Sequence, residues 1–132
     1  MTDGGSTHQV PLGYQRALAA SGIACPGVAF CRVGRTALAL VHLADGVHAL
    51  ADRCPHQGSS LSEGQLHGSM LVCPSHGWAF DVRTGRSRSA LGHGTRAYRA
   101  RVVNGVVYVR TQLVRTLFAQ LKSRLARKRA RS

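Results

Sequence analysis

Four side chains in the stretch 54–76 have the types and spacing to hold a metal. Cys54 and His56 form a Cys-x-His pair, and Cys73 and His76 form a Cys-x-x-His pair sixteen residues further on. Two thiolates and two imidazoles suit a borderline-soft metal. One candidate is Zn²⁺ in a tetrahedral site. The other is an iron–sulfur cluster in which histidines replace two of the cysteines. Zinc fingers usually draw two cysteines from one arm and two histidines from the other. Here each arm supplies one of each, which suits two metals side by side, the cysteines on one and the histidines on the other. Pro55 and Pro74 follow the cysteines and stiffen both loops. Gly58 and Gly77 lie just past the histidines, where backbone must come close to a bulky inorganic core.

Such loops need a rigid base, and the flanking sequence predicts one made of strands. "TALALVHL" (36–43) and "VHALAD" (47–52) are strand candidates, with Asp45-Gly46 between them as a two-residue hairpin signal. "SMLVC" (69–73) is a short strand leading into the second pair. "WAFDV" (78–82) is another, closed by a turn at Thr84-Gly85. "AYRARVV" (97–103) alternates with period two and turns at Asn104-Gly105 into "VVYVR" (106–110). One or two short strands are expected within 11–35, and "LSEGQL" reads as an ordinary turn.

Composition agrees with a loop-rich β protein of one domain. Aromatics make up only 5% of 132 residues, while glycine occurs 15 times. The net charge of +13 is lopsided. Residues 1–81 hold four basic and five acidic side chains, whereas 82–132 hold fourteen basic and no acidic ones. A field of that kind attracts acidic protein, anionic lipid or nucleic acid. No stretch reaches the roughly 18 apolar residues of a spanning helix. The N-terminus has no secretory pattern. The expected compartment is therefore the reducing cytoplasm, where cysteines serve more often as ligands than as disulfides.

The motif Cys-Pro-His-x₁₆-Cys-Pro-Ser-His resembles that of the Rieske [2Fe–2S] family, and the likeness spans about residues 10–110. It implies one cluster, with Cys54 and Cys73 on the inner iron and His56 and His76 on the outer. The implied fold is a small antiparallel β-sandwich carrying a cluster-binding subdomain (about 53–82) within a domain of residues 11–110. Respiratory Rieske proteins carry two more cysteines, joined as a disulfide, where this chain has Ser59 and Ser75. They also have a hydroxylated Ser and Tyr where it has Trp78 and Phe80. Fewer donors to the cluster sulfurs imply a low potential. The pattern resembles the soluble ferredoxin of bacterial ring-hydroxylating dioxygenase systems. That resemblance implies an electron carrier rather than an enzyme, with a flavoprotein reductase and a terminal oxygenase as partners, and the chain's positive charge adds the expectation that they dock through acidic surfaces. The alternatives are a Rieske-like small subunit of a larger reductase and a zinc-stapled basic module.

The remaining residues are read plainly. Cys25 and Cys31 are taken as buried or half-buried thiols, and His8, His42, His48, His67 and His93 as surface or strand histidines. Trp78 is expected to shield the cluster from water. Residues 1–10 are read as a mobile tail. Over 111–132, Leu113, Leu117, Leu121 and Leu125 recur at helical spacing, opposite Arg115 and Lys122. This basic amphipathic helix has three uses: packing on the β domain, contact with an anionic membrane, or docking on an acidic partner. Nucleic-acid binding has no motif behind it.

Overall fold

The run of alternating Ala and Leu at 37–40 is apolar on both faces of a strand, and the fold buries both. In the computed structural model, which describes residues 10, 12–55, 58–75, 77–90 and 92–111, that run lies in strand β3 (Thr36–Leu43). Leu38, Ala39, Leu40 and Val41 have no exposed surface. β3 sits inside a four-stranded sheet with β2 (Gly27–Val33), β4 (Gly46–Ala51) and β8 (Ala97–Tyr98), in the order β2-β3-β4-β8. Successive side chains point to opposite faces. Leu38 and Leu40 therefore join Val33, Val47, Val107 and Val109 in one core. Ala39 and Val41 join Leu50, Leu61, Leu71, Phe80, Cys54 and Cys73 in a second.

A further sheet contributes to each core. On the first side, β1 (Tyr14–Ala19), β10 (Val106–Arg110) and β9 (Ala100–Val103) form a three-stranded base sheet. On the second, β5 (Gln65–His67), β6 (Met70–Val72) and β7 (Ala79–Asp81) form a three-stranded tip sheet. All pairings are antiparallel. Each fully buried Leu, Val or Phe contributes about 1.5–3 kcal/mol.

Asn104-Gly105 makes the predicted hairpin. Val103 pairs with Val106, and Asn104 takes a positive φ of 52°. The Asp45-Gly46 hairpin forms one residue earlier than expected. Leu43 pairs with Gly46, so Ala44 and Asp45 make the turn. The Asp45 carboxylate is engaged there, accepting from Nε2 of His48 at 3.0 Å and from Arg83 at 2.7 Å. The run 97–103 is two strands rather than one. Tyr98 pairs with Ala49 in the central sheet, and Ala100 pairs with Val109 in the base sheet. Period-two alternation continues through the switch, so it cannot mark it. Part of "LSEGQL" is strand: Leu61–Glu63 is a single 3-10 turn, and Gln65 opens β5. Cys31 is buried, as expected, but Cys25 is exposed. It lies in a connection where, of residues 21–26, only Ile23 is buried. The predicted N-terminal tail and C-terminal helix fall outside the described residues, apart from Val10 and Thr111. No helix of the described residues is long and apolar enough to cross a membrane.

Candidate metal centre

Two loops leave the second core side by side, and they are built alike. In the first, the Cys54 N–H donates to the Ser59 carbonyl at 2.8 Å, and the Gly58 N–H donates to the Cys54 carbonyl at 2.6 Å. In the second, the Cys73 N–H donates to the Trp78 carbonyl at 2.8 Å, and the Gly77 N–H donates to the Cys73 carbonyl at 3.1 Å. The offsets from each cysteine are the same, five residues and four. Gly58 and Gly77 occupy matching left-handed positions, with φ of 76° and 72°. A residue with a Cβ is strained there.

The matched turns set Cys54 and Cys73 into one apolar cluster, only 1% and 2% exposed, among Leu61, Leu71 and Phe80. His56 and His76 lie outside the described residues. Among the described residues no three His, Cys, Asp or Glu side chains converge as a metal site. His42 instead meets the Ile23 carbonyl at 3.0 Å, His48 pairs with Asp45, and His67 is exposed in β5. Burial pushes the Cys31 thiol pKa up, which disfavours the thiolate a metal needs.

Three supports hold the loops. The hydroxyls of Ser59 and Ser75 hydrogen-bond to each other across the gap between them. Asp52, 9% exposed, receives the Ser62 N–H at 2.6 Å, the Ser62 hydroxyl at 3.1 Å and the Ser60 hydroxyl, and so closes the base of the first loop. The segment 87–90 braces the second: Arg88 N–H donates to the Ala79 carbonyl at 2.8 Å, and Ala79 N–H donates to Ser89 Oγ at 3.0 Å. Trp78 is half-buried between Phe80, at 6.5 Å between ring centres, and His93, edge-on at 5.8 Å. Sequence reasoning passed over Asp52 and the 87–90 brace. An Asp two residues before a cysteine, followed by Ser60 and Ser62, was the available signal.

The family model for the Rieske [2Fe-2S] domain matches residues 10–99. The chain belongs to the Rieske [2Fe–2S] family. A Rieske relative, Ferredoxin CarAc of Metapseudomonas resinovorans, is 41% identical over 83 residues, covering 59% of this chain and 74% of that one. The anthranilate 1,2-dioxygenase ferredoxin subunit of Burkholderia cepacia is 34% identical over 77 residues, covering 58% and 71%. Among solved structures, a chain in the complex of reduced oxygenase and oxidized ferredoxin in carbazole 1,9a-dioxygenase superposes with a TM-score of 0.65 at 36% identity. That match covers 72% of this chain and 99% of the other. This Rieske protein carries one [2Fe–2S] cluster and is an electron carrier of the ferredoxin type rather than a catalyst in its own right. The residues present fit that group: two buried thiols on twin turns whose backbone hydrogen bonds match position for position.

Proposed function

We propose that this chain is a cytoplasmic one-electron shuttle between an NAD(P)H-dependent flavoprotein reductase and a terminal oxygenase. The observation that carries this reading is the pair of matched loops at Cys54 and Cys73, in a chain similar over most of its length to ferredoxins of oxygenase systems. Cys54 and Cys73 hold one iron, and His56 and His76 hold the other. When bound, the cluster supplies a one-electron couple. The chain's own residues set its surroundings. Leu61, Leu71 and Phe80 keep water from the thiolates. Trp78 covers the second loop and, like Phe80, has no hydroxyl to donate to a sulfur. Ser59 and Ser75 spend their hydroxyls on each other. Without the two side-chain hydroxyls of respiratory Rieske proteins the reduced state is less stabilised than in them, so the potential is low, on the order of −150 mV.

Both partners present acidic surfaces to this basic chain. Anaerobic mixing with a flavoprotein reductase and NAD(P)H, both from the same host, should reduce one electron equivalent per chain. Adding the host's terminal oxygenase should reoxidise it. A chain that holds its cluster but exchanges electrons with neither would defeat this proposal.

A further inference from the structure

We propose that the rim of the two cluster loops is a cationic docking face for an acidic protein surface, with Arg53 and Arg88 as its anchors; this rests on the electron-carrier reading above. At the first loop, Arg53 is exposed and its guanidinium lies across Gly58: a Cβ on that glycine would sit 3.6 Å from Nε. At the second loop, exposed Arg88 is tied by its own N–H to Ala79, the residue after Trp78. Next to it opens a cleft of about 610 Å³ lined by Arg86, His93 and Arg96, together with Ser87 and Thr95 and no carboxylate. His93 also touches Trp78, so the cleft adjoins the loop. Positive charge therefore flanks both loops.

Little negative charge offsets it. Of the described acids, Asp45 is paired with Arg83, Asp52 is buried under serine donors, and Asp81 is half-buried and accepts the backbone N–H of Arg83 at 2.8 Å. Asp45 and Glu63 are exposed, and of the two only Glu63 is in no ion pair among the described residues. Among the described residues, Arg83 alone of the arginines forms an ion pair. Guanidiniums on the rim of an electron-transfer site act by steering encounter with an opposite charge, an effect that salt removes. Electrons enter and leave at these loops, so the surface beside them is where a redox partner must come close.

Charged inorganic oxidants test the face without a partner. The probes are anionic tris(oxalato)cobaltate(III) and cationic hexaamminecobalt(III), each taking one electron from the reduced holo protein and becoming cobalt(II). The anionic oxidant should react fast at low salt and slow as salt rises; the cationic one should show the opposite trend. Arg53→Gln with Arg88→Gln should lower the low-salt rate with the anionic oxidant about tenfold. The control Arg16→Gln with Arg101→Gln removes the same charge from the base sheet, where both residues lie opposite Tyr108. It should change the rate less than about twofold. Equal losses in the two double variants would show only the net charge of the chain and would overturn the proposal. So would loss of duplex DNA binding by the loop variant with its oxidant rates intact. The absorption and EPR spectra of each variant report the cluster separately, so failure of the docking face is distinguishable from failure of the carrier reading.

Discussion

The two sides of the central sheet are held together by different means. On the base side, long strands meet through aliphatic side chains, with Leu38, Leu40, Val107 and Val109 fully buried. On the tip side, β5, β6 and β7 have three residues each. Their core includes the two candidate ligand thiols, Cys54 and Cys73, and polar contacts from Asp52, Ser59 and Ser89 complete it. The base is a sandwich held by burial; the tip, with shorter strands, is expected to draw part of its stability from the metal it would bind.

The largest expected effect separates the two regions outright. Cys73→Ser should abolish cluster binding, because metal binding and loop folding are one equilibrium. Hydrogen exchange should then show the amides of Cys54, Gly58 and Gly77 losing protection while those of Leu38–Val41 keep theirs. Equal protection with and without iron would erase the distinction between base and tip. Asp52→Ala comes next. It strands three donors in a nearly buried site and should cost about 1–3 kcal/mol in denaturant unfolding, with faster exchange at Ser62. Ser59→Ala removes only the tie between the loops. Its cost should be about 0.5–1.5 kcal/mol, confined to the tip. The smallest effect lies at Asp45. Hydrogen bonds from His48 and then Arg83 lower its carboxyl pKa from 3.8 to about 2. A depressed carboxyl contributes stability above its ordinary value and loses it as pH falls. The acid limb of the stability profile should therefore drop between about pH 4 and pH 2. Asp45→Asn should flatten that limb by lowering neutral stability toward its acid value, a small loss for an exposed group.

The base and the tip were not equally legible in the sequence. β3, β4 and β10 stood out because apolar runs bounded by Asp-Gly and Asn-Gly carry their own geometry. The Gly34-Arg35 and Gly68-Ser69 turns, which close β2 onto β3 and β5 onto β6, went unmarked although glycine leads both. β5 was hidden because Gln65–His67 sets one apolar side chain between two polar ones, whereas the equally short β6 and β7 lie in apolar runs. The switch at Arg99 was hidden because alternation looks the same in either sheet. For the site, the Cys/His spacing named the candidate ligands, and the described half of the set, Cys54 and Cys73, comes together in one cluster. The serine tie and the Asp52 clasp depend on contacts across 16 and 10 residues of chain, which no local pattern encodes.

Metal analysis with EPR of the reduced protein, made in cells supplied with iron, bears most directly on all of this. The account predicts iron and acid-labile sulfide in equal amounts, two of each per chain as its family requires. It also predicts a reduced-state signal whose average g lies below the free-electron value. Zinc in place of iron, or iron without sulfide, would contradict it.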